Sequence, residues 1–586
     1  MNGLAGFVRT EGLADPDALA RMTAAVGPRH AGEPRVSGPL ALGVHATRGR
    51  YAIAADVRLD DRDALRGFGE GTDAELLLRA YEAWGEELPA RLVGDFAFAI
   101  WDGRALFCAR DGFGARPLVW GRTDRVFAFA SDTRALHALG ELPRRRDPGR
   151  IADFLVDEGL ETIDATSTFW RDLHKLAPGH ALTLRDGDVA LRRFWAPAPR
   201  DLGIASYGDA VDAFRATFTE AVRCRTRGEG VASMLSGGID SASIVGVARR
   251  VAGEPFPTFS AIGDDPAVCP DRRFVEAAVA QGGLAPTFVR PSEAGAYADE
   301  VRRLLEETDD PFDVHAISIP MLPYVAARRA GVRVLLDGVD GDLVTSQGGH
   351  GVLYALRERR IGEAWARAGA GARYWGERSR VPMFADALRA WLRPPLPPLR
   401  RPRRPARPLL APGVVDVDAR LRTMRENARR LAGEGPGWDH ARKLDWAAIP
   451  VALDRYGRAA ASQGVEASHP YLDRRVVELC VSLPWAFKTH GGVQKSLLRD
   501  AMRGIVAEPI RARVPGASPH FQFTDALARA LEPWLAAQLD RVADADAFVD
   551  VPAARGAWEA WRRCEGDTWP VLQVATLVAW LGRASR

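Results

Sequence analysis

Apolar and polar residues change their rhythm once along this chain, near residue 195. Before that point, short runs carry the two-residue period of strands. Residues 93–102, Val-Gly-Asp-Phe-Ala-Phe-Ala-Ile-Trp-Asp, alternate and end in a turn at Gly103. Residues 105–110 follow as the hairpin partner, and 126–131 form a third run. From Ala74 to Trp84 the pattern is helical, with Leu76, Leu77, Ala80 and Tyr81 on one face. Many strands with few helices predict layered sheets flanked by helices.

Trp195-Ala196-Pro197-Ala198-Pro199 reads as a linker. Beyond it strands alternate with helices. Residues 231–235 read as a buried strand and 242–248 as a helix. Residues 257–262 are expected to be the second strand and 332–336 the third, after a helix containing 325–329. This βαβ order predicts a parallel, doubly wound sheet with its site at the strand C-terminal ends. The expected division is one domain over 1–200 and another over 201–586. A Pro/Arg-rich stretch at about 393–412 suits a solvated loop or a docking segment for an acidic or peptide partner. The remainder to Arg586 reads as mostly helical.

Composition narrows the classes of function. A 47% hydrophobic content supplies a sizeable core, and a net charge of +3 gives no footing for nucleic acid. The five cysteines (Cys108, Cys224, Cys269, Cys480, Cys564) are scattered, with no C-x-x-C pair, so no disulfide framework or zinc site is expected. No apolar run reaches the length of a membrane span, and residues 1–7 lack the features of a signal peptide. A cytoplasmic location with no membrane partner is therefore expected. Positive charge is carried almost wholly by arginine; the lysines are Lys175, Lys443, Lys488 and Lys495.

Three segments carry candidate chemistry. The first is Ser236-Gly237-Gly238-Ile239-Asp240-Ser241, set between a predicted strand and a predicted helix. A glycine-rich turn there leaves backbone N–H groups open to phosphate, beside a helix N-terminus. Ser236 and Ser241 add hydroxyls, and Asp240 suits Mg²⁺. The local alternative is an ordinary tight turn. The second is Asp337-Gly338-Val339-Asp340-Gly341-Asp342, which suits a surface turn or a divalent-metal site facing Asp240. The third is Gly491-Gly492-Val493-Gln494-Lys495-Ser496. Lys495 stands at a helix start, where a cation is electrostatically disfavoured. That placement suits an ammonium held near phosphate, or an exposed surface lysine. His469-Pro470-Tyr471-Leu472-Asp473 reads locally as a structural turn before a helix.

Ser-Gly-Gly-x-Asp-Ser resembles the PP-loop of ATP pyrophosphatases. Taken with the other motifs in order, the chain resembles the asparagine synthetase superfamily along nearly its whole length. Thr72-Asp73-Ala74-Glu75, Gly94-Asp95-Phe96-Ala97-Phe98, residues 109–118 and Leu176-Ala177-Pro178-Gly179-His180 match that family's N-terminal glutaminase-type domain. The resemblance implies an Ntn-type αββα domain followed by a doubly wound PP-loop synthetase domain, a mixed α/β and α+β chain. It implies ATP held by Ser236, Gly237, Gly238, Asp240, Ser241 and Gly338, with adenine against Ser260 and Ala261. It implies Mg²⁺ on Asp240, Asp340 and Asp342, and Lys495 and Asp337 as catalytic residues.

The departures carry further meaning. The family's glutaminase nucleophile is an N-terminal Cys after Met1; here Asn2 stands there, and a carboxamide is no substitute for a thiolate. Ala54-Ala55 replace the Asn-Gly expected to bind substrate. Without an ammonia source, an amine on the same substrate is the natural nucleophile. The Asp337–Asp342 turn and the Pro/Arg-rich stretch resemble the lasso peptide cyclase branch, whereas the β-lactam branch carries Tyr at the place of Asp337. That branch implies a precursor peptide, a leader-binding protein and a leader peptidase as partners. The rivals are an ammonia- or amine-dependent amidotransferase, a β-lactam synthetase, and a non-catalytic peptide- or nucleotide-binding scaffold. An Arg-x-x-Lys of many relatives is here Arg513-Val514-Pro515-Gly516.

Overall fold

The computed structural model describes the chain except residues 1–2, 27–31, 157–158, 254, 268, 309, 312–313, 347–350, 393–408, 432–433, 515–519 and 585–586. Asn2, most of the Pro/Arg-rich stretch, Pro515 and Gly516 lie outside the described residues.

Residues 5–193 build two six-stranded antiparallel sheets stacked face to face, with helices outside each. Alternation along single strands explains the layering. In Gly94–Trp101, Phe96, Phe98 and Ile100 pack against the helix Asp73–Trp84. Ala97 and Ala99 face the other sheet, where Phe127 and Phe129 fill the space that these alanines leave. In Val126–Ala130 the alternate residues Val126, Ala128 and Ala130 point away to the helices Pro16–Ala25 and Thr133–Ala138. The predicted hairpin forms with Ala97 opposite Arg110 and Trp101 opposite Leu106. The third run joins the opposite sheet.

The second body is a parallel sheet. Its order is Leu284–Val289, Phe256–Ala261, Val231–Met234, Val334–Leu336, Glu466–Ser468. Two of these strands are absent from the sequence reading, so 256–261 is followed by 284–289 before 334–336 is reached. Leu284–Val289 contains Pro286, which argues against a central strand but is tolerated at an edge. Glu466–Ser468 has three residues, too few for a period to show. Helices dominate from Gly341 onward. No described helix is long and apolar enough to cross a membrane.

The segment read as a linker is pinned between the two bodies. Trp195 is buried, meets Phe113 edge-on and donates its indole N–H to Glu478 at 2.9 Å. Buried charges complete the junction. Asp454, on the helix Ala448–Ser462, accepts from Arg110 at 3.0 Å and Lys175 at 2.6 Å. Burial would raise its pKa, but Lys175 and Arg110 prevail and hold it well below the usual carboxylate range. Arg225 pairs with Asp60 at 3.0 Å and Asp473 at 2.6 Å, and Arg58 and Arg475 add a pair to each, so the Asp60–Cys224–Asp473 group is neutralised by arginines. Arg110 also donates to the carbonyls of Gly114, Arg116 and Leu176, which fixes the 110–116 turn that aims Arg116 across the junction.

Asp454→Ala is expected to destabilise the chain by about 3–5 kcal/mol, because two buried cations lose their counter-charge. Asp386→Ala, which removes an exposed pair with Arg389, should cost under about 1 kcal/mol. Urea denaturation of both variants measures the contrast. The Asp454 contribution is present above an unfolded carboxylate pKa of about 4 and is lost as pH falls toward its depressed folded value.

Candidate active site

The parallel sheet sends its connections in opposite directions from Val231–Met234 and Val334–Leu336, which lie side by side. The crevice beyond the C-terminal ends of such a strand pair is where α/β sheets bind ligands. Both glycine-bearing motifs open into it.

Ser236, Gly237 and Gly238 connect the first strand to the helix Ile239–Ala252. Gly237 has φ +75°, and a Cβ there would lie 2.8 Å from the Asp271 carbonyl. Gly238 is the N-cap and supplies no side-chain cap, so the first-turn amides are left to a ligand. Ser241 Oγ accepts from the Ser236 amide at 3.0 Å and lies 3.0 Å from Ser236 Oγ, closing the loop on itself. Arg513 braces it from behind, donating to the Gly237 carbonyl at 2.9 Å, pairing with Asp271 and covering the Phe274 ring.

The acidic turn leaves the strand Val334–Leu336 and leads into the short helix Gly341–Thr345. Gly338 and Gly341 lie against Asp240: a Cβ at Gly338 would be 3.3 Å from Asp240 Cβ, and one at Gly341 would be 2.8 Å from Asp240 Cγ. The two motifs therefore meet because both surfaces lack side chains at the contact. Asp340 is in the left-handed region at φ +59°, and Lys495 at +57°. Each costs of order 1–2 kcal/mol for a residue with a Cβ. Two such residues bordering one crevice mark it as a site whose geometry the surrounding fold enforces.

Lys495 is the cation of the crevice. Its Nζ donates to Asp240 Oδ2 and pairs with Asp342 Oδ1, each at 2.5 Å. Burial would lower its pKa, but Asp240 and Asp342 prevail and raise it, so the ammonium stays charged. Asp240 is raised by burial, offset by Lys495. Asp340 is pushed up to about 6 by burial. Asp240 Oδ1 and Asp340 Oδ2 are buried oxygens with no hydrogen-bond partner. Two carboxylates face one ammonium, and the unpartnered oxygens of Asp240 and Asp340 are donors of the kind a divalent cation takes beside phosphate and water. Asp342, three-quarters exposed, already serves Lys495. The three aspartates do not draw together as one ligand trio among the described residues.

Asp337 lies below this level. It is buried, and its Oδ1 accepts from His469 Nδ1 at 2.8 Å and from the Val339 amide at 3.1 Å. The Tyr324 hydroxyl stands 3.5 Å from Oδ2. Ser260 and Ala261 end the neighbouring strand Phe256–Ala261, and Ser260 Oγ is buried without a partner. All twelve residues singled out from sequence thus lie on the loops or strand ends of this one sheet edge or on the Lys495 turn. Tyr324, Tyr471 (whose hydroxyl donates to the Asp240 carbonyl at 3.1 Å) and the bracing Arg513 were not singled out for the site. The contacts of Tyr471 and Arg513 span more than two hundred residues of chain, and Tyr324 reaches Asp337 across 13 residues from a helix to a strand end, so no local spacing announces them.

Comparison with known proteins follows the same division. The sequence profile "Asparagine synthase" matches residues 213–582, and "Glutamine amidotransferase domain" matches 55–195. The chain is similar to "Asparagine synthetase [glutamine-hydrolyzing] 3" of Bacillus subtilis, at 24% identity over 82% of this chain and 76% of that one. It is also similar to a "Putative asparagine synthetase [glutamine-hydrolyzing]" of Mycobacterium tuberculosis H37Rv, at 32% identity over 36% of this chain and 35% of that one. Among solved structures, a glutamine phosphoribosylpyrophosphate amidotransferase of B. subtilis aligns over 43% of this chain and 64% of that one, with TM-score 0.24 and 14% identity.

Gly341→Ala is expected to push the Asp240 carboxylate out of place and weaken Mg·ATP binding about tenfold or more, from an overpacking cost of roughly 1–3 kcal/mol. Titration calorimetry with a non-hydrolysable ATP analogue checks it. Wild-type affinity would contradict the contact.

Proposed function

The chain belongs to the asparagine synthase family of ATP-dependent, AMP-forming carbon–nitrogen ligases, and we propose that it closes a macrolactam within a precursor peptide, giving a lasso peptide. The observation that carries the ligase chemistry is Lys495, held between Asp240 and Asp342 at the mouth of the glycine loop. The finer reading is supported by the sequence Asp337-Gly338-Val339-Asp340-Gly341-Asp342 and by Asn2 standing where a glutaminase nucleophile is needed. Ala54 and Ala55 are fully buried core positions, with no polar side chain to offer glutamine.

In the proposed reaction, ATP lies with its phosphates on the amides of Gly237, Gly238 and the first helical turn, beside Ser236 and Ser241. The adenine lies against Ser260 and Ala261. Mg²⁺ held by Asp240 and Asp340, with Gly338 and Gly341 giving it room, would neutralise phosphate charge. A side-chain carboxylate of Asp or Glu in the peptide attacks the α-phosphorus; the α–β bridging bond breaks, and pyrophosphate leaves. The peptide α-amine then attacks the acyl carbon, loses a proton and expels AMP. Lys495 follows the negative charge through both steps. A unit charge pair at about 4 Å and an effective dielectric of about 20 is worth roughly 4 kcal/mol. Nucleotide entry also relieves Lys495 of part of its bond to Asp240, freeing that carboxylate for the cation. Asp337 is proposed to orient the amine or take its proton through Oδ2, the oxygen turned to Tyr324. Holding amine and acyl group in one molecule contributes on the order of 7–11 kcal/mol relative to free reactants.

The partners proposed with this reading are the precursor peptide, a leader-binding protein and a leader peptidase, in the cytoplasm. Incubation of the precursor with this protein, its partners, ATP and Mg²⁺ should yield a peptide lighter by one water. Lys495→Ala should cut the rate about 10²–10³-fold while leaving the fold intact. Asparagine formed from aspartate, ATP and ammonium, with no response to peptide, would favour the amidotransferase rival.

A further inference from the structure

Among the described residues, the edge strand Glu466–Ser468 pairs only with Val334–Leu336, through three residues on one side. So short an edge holds its register weakly by itself. Its alternate residues Glu466 and Ser468 point the same way, and what they meet belongs to the N-terminal domain. Arg58, on the strand Tyr51–Leu59, donates from Nη1 to Ser468 Oγ at 2.8 Å and reaches Glu466 Oε1 at 3.4 Å. Its other nitrogens are fixed by Asp60 at 3.0 Å and Asp95 at 2.8 Å. Arg116 pairs with the same Glu466, and both are largely buried.

Ser468 is one residue from the machinery. Its carbonyl accepts from the Asp337 amide at 3.0 Å, and the next residue, His469, donates to Asp337 Oδ1. Both the backbone and the carboxylate of Asp337 are therefore anchored to the segment that the two arginines grip. Asp337 opens the turn carrying Asp340 and Asp342. A displacement of Ser468 is passed on to the turn that carries Asp337, Asp340 and Asp342.

We propose that Arg58 and Arg116 are positioning residues of the ligase site, acting across the domain junction through Ser468 and Glu466 on Asp337 and the acidic turn. The N-terminal domain then has a part in the reaction that needs no nucleophile of its own. The inference rests on the ligase reading above for its kinetic consequence, but not for its geometry.

The test uses the full-length protein. Arg58→Gln and Ser468→Ala each remove one end of the 2.8 Å bond, and Ser468→Thr retains the hydroxyl. Two readouts are taken: hydrogen exchange of segments 334–345 and 464–473, and the kcat and KM for ATP in AMP formation with precursor peptide. Misplacement at a distance from chemistry is expected to lower kcat about 10–100-fold and to raise KM for ATP, because the displaced turn carries Gly338 and Asp340. Exchange should rise in the two segments and not in the glycine loop, and Ser468→Thr should restore both readouts toward wild type. The double variant should lose no more than Arg58→Gln alone, because the Ser468 bond is already broken in it. Wild-type kcat and exchange in folded Arg58→Gln and Ser468→Ala would overturn the proposal. So would exchange that rises uniformly over the chain, which marks a merely structural contact. If the wild type makes no AMP with any peptide, the ligase reading fails, and the exchange readout alone still decides whether the arginines hold the turn.

Discussion

One buried ammonium held between two carboxylates is the constraint around which this molecule is arranged. Lys495 is desolvated, and it stays charged because Asp240 and Asp342 stand against it. The same desolvation makes Asp340 costly to ionise while no cation faces its buried oxygen. A crevice so composed suits phosphate oxygens and a divalent ion. Gly338 and Gly341 allow the acidic turn to approach Asp240, and the left-handed Lys495 brings its ammonium to Asp240 and Asp342. The strain of Lys495 and of the left-handed Asp340 is borne by the packed sheet below them.

The second theme is the division of labour between the bodies. The N-terminal domain keeps its two sheets, its Thr72–Glu75 capping box and a fully packed alanine–phenylalanine interlayer. Its charged side chains are directed at the partner body: Arg58 and Arg116 to Glu466, Arg110 and Lys175 to Asp454, Asp60 to Arg225. Buried pairs of this kind contribute little net stability, since desolvation cancels most of the attraction, but breaking one is expensive. They fix relative placement instead. The N-terminal domain is bound to the other by contacts that reach the strand beside the acidic turn.

Much of this was legible in sequence where the signal is local. The alternation of 94–101 and 126–130 has a period of two because each strand lies between two apolar layers. The Ser-Gly-Gly-x-Asp-Ser loop was legible because phosphate sites require bare backbone between a strand and a helix. What escaped was short or distant. Leu284–Val289 was hidden by Pro286, and Glu466–Ser468 by its length. The His469–Asp337 bond joins residues 132 apart in the chain, and only the parallel pairing of Leu336 with Ser468 brings them together. The Thr72–Glu75 match to glutaminase domains turns out to cap a helix, with Glu75 accepting from the Thr72 amide at 2.8 Å. The 195–199 linker is pinned by a buried tryptophan because composition reports chain flexibility and not what the chain lies against.

The central claim is that a carboxylate of the substrate becomes an acyl-adenylate before it meets an amine. A peptide whose acceptor carboxylate carries oxygen-18 reports this bond by bond. Mass spectrometry of the nucleotide products should find one labelled oxygen in AMP and none in pyrophosphate. Label in inorganic phosphate accompanied by ADP, or unlabelled AMP beside ring-closed peptide, would contradict the account.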